Sequence, residues 1–228
     1  MSASSVVFCD DTFVNWGDNA LEFRLTYQGL LLAETNKGEL QGARASHKQM
    51  IRKDIHRQLK RLWEIHPYLS GGLKPYAESQ QTHEISRPPS THSVDGLASR
   101  FKVNDYKFVP LITRDSGVLC SVEVLFLRND PPGSIISAGD IDNRLKTLFD
   151  ALTMPRDAMQ LGSFVNPAEG EDPFFCLLED DCLITRASVE TDTLLDPVSR
   201  DPNVNDARVV VTVKTKVYSL TPLAFGFL

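Results

Sequence analysis

The sequence predicts an α/β fold of the α+β kind, in which a mixed β-sheet carries two main helices. Three observations predict it. Apolar and polar residues alternate in several short segments, apolar residues recur at helical spacing in two others, and these segments follow one another in the order β, α, β, β, α, β, β. The 228 residues suit one domain with additions, so we treat 1–228 as a single domain.

The amino-terminal half contains the first strand and the clearest helix. A strand is predicted over 21–32, which is rich in Leu, Phe and Tyr and is followed by turn residues at 36–42. A helix is predicted over 46–65, because apolar residues recur there every three or four positions and His66-Pro67 provides a stop. Its apolar positions are Ile51, Ile55, Leu59 and Leu62.

The middle of the chain begins with a polar segment and continues into strands. Residues 78–96 hold Ser, Thr, Gln, His and Pro with almost no large apolar residue, which is typical of a loop. A strand pair is predicted over 106–113 and 117–127, joined around Arg114. In the second strand every other residue is apolar, as a half-buried strand requires.

A second helix and two more strands complete the predicted fold. The helix is predicted over 142–153, where four apolar residues form one stripe. Residues 154–176 have no clear period, and we assign no element to them. Strands are predicted over 182–191 and 207–218.

Net charge argues at first against a nucleic-acid partner. The chain has 24 Lys and Arg against 30 Asp and Glu, which gives −6 and a pI near 5.4. The charge is uneven, however. Residues 44–61 hold seven basic residues and one acid, and 157–206 hold twelve acids and two basic residues. The chain is electrically polar, so its total charge does not exclude DNA.

The basic helix is the natural phosphate contact of such a chain, since counterion release gives affinity independent of base sequence. The alternative is an ordinary solvated helix face. We add Arg144, beside the acidic motif described below, to the predicted nucleic-acid contacts. The predicted contacts are Lys48, Arg52, Lys53, Arg57, Lys60, Arg61 and Arg144.

Compartment signals predict a cytoplasmic protein with no membrane role. The four cysteines include no CxxC pair and have no histidine near the closest two, which disfavours zinc and disulfides. Residues 1–11 lack the basic and apolar regions of a secretory signal. The most apolar stretch, 117–127, is too short to span a bilayer.

The residues best suited to a catalytic site lie in two acidic clusters. The segment 139–146 reads Gly-Asp-Ile-Asp-Asn-Arg-Leu-Lys. Extended backbone ahead of a helix would point Asp140 and Asp142 the same way, and Lys146 follows Asp142 by one helical turn. A second cluster, 179–181, ends in Asp181 at the start of a predicted strand and can converge on the first if the strands are neighbours.

Carboxylates gathered in this way predict a metal site. They repel one another unless a cation neutralises them, and hard oxygen ligands suit Mg²⁺ or Mn²⁺. A metal that faces phosphate, with a lysine beside it, is suited to phosphodiester hydrolysis.

Two other interpretations of the first cluster remain open. Asp142 can be a helix N-cap, with Asp140 a loop acid and Asp142 and Lys146 an ordinary ion pair along the helix. The second alternative is that the cluster is the Asp-x-Asp motif of metal-dependent glycosyltransferases. It fits less well, because no nucleotide-sugar domain of adequate length precedes it.

Taken together, the two motifs resemble the RusA family of Holliday junction resolvases. Residues 139–153, Gly-Asp-Ile-Asp-Asn-Arg-Leu-Lys-Thr-Leu-Phe-Asp-Ala-Leu-Thr, are followed by Leu-Glu-Asp-Asp at 178–181 and a β-rich run. The family has an acidic D-x-D-N, a lysine one turn later, a Leu/Phe-Asp-Ala-Leu helix and an acidic cluster ahead of the next strand. The resemblance joins two separated motifs in the right order and is strong over 118–218.

The resemblance implies a small RusA-like α/β nuclease that acts as a homodimer, with Mg²⁺-dependent sites that nick branched DNA symmetrically. Asn143 and Asp180 would support the site from behind the metal ligands. The residues it implies as essential are the metal-binding carboxylates Asp140, Asp142 and Asp181 and the catalytic lysine Lys146.

The sequence also departs from the family pattern. Glu34-Thr35-Asn36 stands where the family has a Pro-Ser-Asn turn, and two segments, 68–103 and 154–178, are predicted insertions. Insertions of this kind provide a surface for a further protein partner or change the substrate. We therefore keep two alternatives, a nuclease effector of a phage or mobile-element defence system that cuts other DNA or RNA, and a non-catalytic DNA-binding assembly subunit.

Overall fold

The structure, a computed structural model, describes residues 21–32, 41–72, 93–128, 141–196, 206–219, 221 and 224–227. These residues fall into two compact units. Unit 1 takes its described residues from 21–32, 112–149 and 180–227, and unit 2 takes them from 41–111 and 150–179. The fold is a mixture of helices and sheets, which confirms the predicted α+β class.

Unit 1 is built on a four-stranded mixed sheet. Its strands lie in the order β1, β7, β4, β6, with β7 antiparallel to both of its neighbours and β6 parallel to β4. The register pairs Val124 of β4 with Val211 of β7 and with Val189 of β6. The strands are β1 (Glu22–Leu30), β4 (Val118–Arg128), β6 (Ile184–Thr193) and β7 (Asp206–Val217).

The sheet of unit 1 forms because its strands alternate as the sequence predicts. Along β4, buried residues alternate strictly with half-buried ones, and β1 shows the same period. One face of the sheet is therefore a continuous apolar layer. It includes Phe23, Leu25, Val122, Val124, Phe126, Val209, Val211 and Val213.

Two shorter pieces complete unit 1. Helix α4 (Ile141–Leu152) begins there, and its last residues, from Asp150 on, belong to unit 2. Near the carboxyl terminus a single 3₁₀ turn, Ala224–Phe227, buries Ala224 and Phe227. This agrees with the apolar character of that segment, which would be an association liability in water.

Unit 2 combines helices with a three-stranded sheet whose strands lie in the order β2, β3, β5. Helix α1 supplies the longest element and contacts β5 and a 3₁₀ turn at Ala158–Leu161. The elements are α1 (Gln41–Ile65), α2 (Pro67–Gly72), α3 (Val94–Arg100), β2 (Lys102–Val103), β3 (Tyr106–Ile112) and β5 (Phe174–Leu178), with Ile112 assigned to unit 1.

Aromatic rings form the core of unit 2. The His56 ring stacks on Phe174 with centroids 4.4 Å apart, and Phe174 meets Tyr106 edge-on at 5.6 Å. Trp63 of α1 lies 5.9 Å from Phe175. Because pairs of this geometry add to the energy of burial, they fix α1 against β5.

A glycine allows α1 to approach the turn that follows 158–161. Gly162 has φ +61°, and a Cβ built on it would lie 2.3 Å from the Ser46 backbone nitrogen. The close approach lets the Ser46 hydroxyl accept a hydrogen bond from the Ser163 N–H at 2.9 Å.

The structure corrects three expectations about the middle of the chain. The predicted strands over 106–113 and 117–127 exist as β3 and β4, but they do not pair, because each joins a different sheet across a 3₁₀ turn at Arg114–Ser116. Strand β5 was not predicted. Of the loop predicted over 78–96, only 93–96 is described, and there Ser93 caps helix α3, which begins at Val94. The described parts of the predicted insertions lie in unit 2.

Candidate acidic site and basic groove

The first acidic motif lies at the start of α4, in unit 1. The helix begins at Ile141, so Asp142 stands in its first turn, where the helix dipole favours a negative charge. The backbone at Ile141 is helical. The extended backbone expected between Asp140 and Asp142 is therefore wrong, and with it the reason for expecting the two side chains to point the same way. Asp142 and Lys146 are both exposed and lie one turn apart, as predicted.

The second acidic cluster lies just before β6, also in unit 1. One carboxylate oxygen of Asp180 accepts the Cys182 N–H at 3.0 Å, and the other accepts from Arg114 at 2.8 Å. Hydrogen bonds with Cys182, and then with Asp181 and Arg114, hold the pKa of Asp180 well below its usual range. Asp181 is the exposed member of the pair.

The two aspartates therefore have different environments. Asp180 caps the 3₁₀ turn Asp181–Leu183 and fixes the entry to β6, while the side chain of its neighbour Asp181 reaches solvent. A carboxylate occupied by two donors suits a positioning role, and an exposed one suits a ligand. The roles predicted for Asp180 and Asp181, a supporting residue and a metal ligand, remain predictions.

The convergence of the predicted metal ligands remains a prediction. Asp140 lies outside the described residues. Within the part of the chain that is described, no three His, Cys, Asp or Glu side chains are grouped closely enough to hold a metal. The described donors that remain, Asp142 and Asp181, are exposed carboxylates of the hard-oxygen kind that Mg²⁺ prefers. Their chemistry fits the cation.

Arg114 is a residue of this site that the sequence did not predict. Its guanidinium holds Asp180 in place from the turn between β3 and β4. The residue stands 66 positions from Asp180, and its only sequence signal was its place in a predicted turn. A partner that distant becomes visible only when the sheet brings β4 beside β6.

The predicted basic helix has a more complex surface in unit 2. Arg52 is only 2% exposed, and its guanidinium donates to the carbonyls of Asp150, Thr153 and Gln160 at 2.7–3.3 Å. The first two carbonyls are at the end of α4, where helical partners run out. Arg52 therefore caps a helix, which corrects its prediction as a phosphate contact.

Two further predicted contacts are also less available than the sequence implied. Arg144 in unit 1 is 7% exposed, so its guanidinium is largely shielded from an external phosphate. In unit 2, Lys48 forms an ion pair with Asp150 and is mostly buried. The sequence pattern gave no sign of these differences, because an arginine or lysine at a helix position is expected to reach solvent.

The other four predicted contacts on α1 line a groove in unit 2 of about 480 Å³. Its second wall is the segment Glu169–Glu171, for which the sequence predicts no helix or strand. Lys60 donates to the Gly170 carbonyl at 3.3 Å, and Lys53 pairs with Glu171 at 2.9 Å. The basic residues of the groove are Lys53, Arg57, Lys60 and Arg61.

Arg57 and Arg61 are the most accessible cations of the groove. Their side chains are 73% and 56% exposed, and each pairs with an acid three positions away on the same helix face, Asp54 or Glu64. Exposed pairs of this kind are worth less than about 1 kcal/mol, so a phosphate can replace the acid at little cost. The groove is the part of α1 that is suited to an anionic polymer.

His56 lies at the base of this groove as a neutral ring. Its Nδ1 accepts the Phe175 N–H at 2.8 Å, which leaves Nε2 to donate to the Gly170 carbonyl at 3.2 Å. Burial lowers the pKa of His56, and it likewise lowers the pKa of His47 and brings that of His66 to about 4. All three rings are in unit 2 and neutral at pH 7.

We expect the stability of unit 2 to fall in mild acid. A histidine whose folded pKa is depressed contributes stability that is complete above its unfolded pKa, about 6.5, and is lost as the pH falls towards the folded value. His66 alone should remove about 1.5 kcal/mol of unfolding free energy between about pH 6.5 and pH 5. Urea unfolding across this range, followed by the fluorescence of Trp63 in a Trp16→Phe background, measures the loss.

His66→Asn is the control for this prediction. Its side-chain oxygen can still accept the Leu69 N–H, which His66 Nδ1 accepts at 3.4 Å, but the amide does not titrate. The variant should therefore show a flatter pH dependence than the wild type. An unchanged slope would contradict the role of His66.

Comparisons of the chain with protein-family models, with curated proteins and with solved structures found no match. Among the helices that the structure describes, none is long and apolar enough to cross a membrane.

Proposed function

We propose that the chain is a cytoplasmic, Mg²⁺-dependent endonuclease of the RusA kind that cuts branched DNA by phosphodiester hydrolysis. The observation that supports it best is that Asp142 and Lys146, exposed one turn apart on α4, and Asp181, exposed just before β6, all belong to unit 1. Asp180, held by Arg114 and Cys182, supplies the rigid support that such a site needs.

In this proposal Asp140, Asp142 and Asp181 hold the cation. When bound, Mg²⁺ polarises the phosphoryl oxygen and offsets the charge that develops on the leaving oxygen. Lys146 places its ammonium on the same face of α4 as Asp142, where it can donate to a phosphate oxygen and orient the attacking water. Asp180 keeps the backbone of Asp181 fixed, so that the ligand pays little entropy on binding.

A cleavage assay tests the proposal. The wild type is incubated with a labelled four-way junction, linear duplex, single strand and RNA, in Mg²⁺ or in EDTA. We expect cleavage of the junction in Mg²⁺ and none in EDTA, and Asp142→Asn should reduce cleavage by roughly a hundredfold or more. Cleavage that survives EDTA or Asp142→Asn would exclude the mechanism, and preferential cleavage of RNA or single strand would favour the defence-effector alternative.

A DNA-binding subunit without catalysis is the alternative of a different class. The basic groove of unit 2 favours it, because phosphate binding there needs no metal. Junction binding without cleavage by the wild type, in both Mg²⁺ and Mn²⁺, would support this alternative against the nuclease.

The basic groove of unit 2 leads to a prediction about DNA binding that holds for the nuclease and for the non-catalytic subunit alike. Arg57→Glu and Lys60→Glu should each weaken DNA binding several-fold and reduce its salt dependence by about one ion, since each removes a phosphate contact. Arg24→Glu, on β1 in unit 1, makes the same charge change elsewhere and should have little effect. Fluorescence anisotropy at several salt concentrations measures both quantities. Equal losses in all three variants would show a non-specific effect of net charge.

A further inference from the structure

The basic groove of unit 2 is almost neutral as a whole. Four cations and three carboxylates line it, which gives the lining a net charge of +1. The His56 ring at its base is neutral at pH 7, because burial lowers its pKa. The affinity of the groove for phosphate therefore depends on how each carboxylate lies beside the cations. The three carboxylates are those of Glu64, Glu169 and Glu171.

The inner cations of the groove are held by the segment Glu169–Glu171, which we call the acidic wall. Lys53 pairs with Glu171 at 2.9 Å, and Lys60 donates to the Gly170 carbonyl at 3.3 Å. The side chains of Lys53 and Glu171 are only 21% and 11% exposed, so water screens their attraction less than it screens the outer ion pairs. A phosphate therefore reaches the inner cations less easily than the outer two.

Hydrogen bonds hold the acidic wall in place. Glu171 Oε2 accepts the Ala168 N–H at 2.9 Å, and the Glu171 N–H donates to the Ala168 carbonyl at 3.0 Å. The Gly170 carbonyl accepts a second donor, His56 Nε2, at 3.2 Å. The wall therefore keeps its acceptors at a fixed place beside the cations of α1.

Glu169 is the exposed carboxylate of the wall. It lines the groove, and within the described part of the chain no side chain pairs with its carboxylate. Its charge therefore lies in the groove without a cation of its own and repels an incoming phosphate. Glu171 and Glu169 oppose phosphate in two ways, one by occupying a lysine and the other by repulsion.

We propose that Glu169 and Glu171 determine which anions the basic groove binds. They act as competitors fixed beside its cations, so that a single phosphate binds weakly and a strand with several adjacent phosphates binds well. This inference rests on the proposed function, in which the groove contacts DNA. It adds that the acidic wall sets the specificity of the groove together with the basic residues.

The fixed position of the wall explains the selection between one phosphate and several. A tethered group competes at an effective concentration that is roughly millimolar. A free phosphate has to match this competitor at one position. A nucleic-acid strand first contacts the outer arginines, whose ion pairs are exposed and weak, and its next phosphates then reach the inner cations as parts of the same molecule. The strand therefore displaces the wall where a separate phosphate does not.

Fluorescence anisotropy with a labelled DNA strand, measured in EDTA so that no metal-dependent cleavage occurs, tests the wall. Glu169→Gln and Glu171→Gln should each strengthen binding roughly threefold and steepen its salt dependence by about one ion, because each removes a competing charge. Asp172→Asn is the matched control. It makes the same charge change one position after the wall, at a carboxylate that pairs with Lys107 at 2.9 Å and does not line the groove, and it should have little effect.

Thermal unfolding in inorganic phosphate tests the selection itself. At constant ionic strength, phosphate should stabilise the double variant, Glu169→Gln with Glu171→Gln, and leave the wild type nearly unchanged, since a ligand stabilises a fold in proportion to its binding. Adding Arg57→Glu to the double variant should remove the gain. Circular dichroism checks that each variant is folded. Because Glu169 is exposed, Glu169→Gln alone provides the result if the change at Glu171 lowers stability.

Three outcomes would overturn the inference. They are equal changes in Asp172→Asn and in both wall variants, folded wall variants that bind DNA no more tightly than the wild type, and a wild type that phosphate stabilises as much as the double variant. A protein that shows the expected binding changes and cleaves no DNA would exclude the nuclease and support the role of the wall. Mg²⁺-dependent cleavage by a protein whose wall variants bind like the wild type would do the reverse.

Discussion

Asp181→Asn is expected to reduce Mg²⁺-dependent cleavage of branched DNA by roughly a hundredfold or more while leaving the unfolding transition unchanged. Asp181 is exposed, so replacing its carboxylate with an amide of the same shape should cost little stability. The amide lacks the negative charge that would bind the cation. Cleavage rates and thermal unfolding, measured on the same preparations, separate the two effects.

Asp180→Asn is the matched variant, one residue away. Its carboxylate accepts from Cys182 and Arg114, so the change should lower stability by about 1–2 kcal/mol. The pKa of Asp180 is depressed, and the contribution of a depressed carboxyl group is complete above its unfolded value, about 3.9, and is lost as the pH falls further. The two variants should therefore converge in stability in strong acid.

The pair of variants distinguishes a ligand from a support. We expect Asp181→Asn to lose cleavage activity while its stability is unchanged. Asp180→Asn should lose stability and show a smaller loss of activity. The reverse pattern would contradict the assignment of roles. Equal losses of activity with no change in stability would show that both carboxylates bind the cation.

The elements that the sequence predicted correctly have strong, local periodicity. Helix α1 and helix α4 each carry an apolar stripe, and burial alternates along all eleven residues of β4 and along 207–215 of β7. In the strands, a shift of one residue would turn every apolar side chain to solvent, so the pattern fixes which residues face the core. Their positions therefore needed no knowledge of the rest of the chain.

Strand β5 has no such pattern, which explains why it was missed. Its five residues, Phe174–Leu178, are all buried, so no alternation marks the strand. A short apolar run of this kind is consistent with a strand or a buried helix. It becomes a strand because β3 and α1 cover it, and this information comes from residues far away in the sequence.

The pairing of β3 and β4 was wrong for a related reason. A short connection between two strands is usually a hairpin, and the sequence around Arg114 offered a turn. The turn is instead a 3₁₀ segment that ends at Gly117 with φ +70°. A Cβ at Gly117 would lie 2.3 Å from the Ser219 carbonyl oxygen, so tertiary contact, and not turn type, sets its conformation.

The same limit applies to the charged residues of α1. Helical spacing predicted one basic face, but unit 2 uses the cations in different ways. Arg52 is buried under the end of α4, Lys53 pairs with Glu171, and Arg57 stays at the surface. Sequence spacing places side chains on a face of a helix, while the neighbours of that face decide which charges remain available for a phosphate.

The burial of Arg52 leads to the largest expected effect on stability. Arg52→Met should lower the free energy of unfolding by about 3 kcal/mol or more, because it leaves the carbonyls of Asp150, Thr153 and Gln160 without this donor. Burial lowers the pKa of Arg52 to about 10, so the guanidinium is still charged at neutral pH. Urea unfolding followed by Trp63 fluorescence, in a Trp16→Phe background, measures the change.

Arg57→Met is the matched control, because it makes the same substitution on the same helix at a side chain that is 73% exposed. Its effect should stay within about 0.5 kcal/mol. Arg52→Lys should fall between the two, since an ammonium keeps the charge but cannot reproduce the guanidinium fork that reaches several acceptors at once. If Arg52→Met and Arg57→Met unfolded alike, Arg52 would not be the cap of α4. Arg52 could then contact a phosphate only if its side chain moved out of the buried position, where it is 2% exposed.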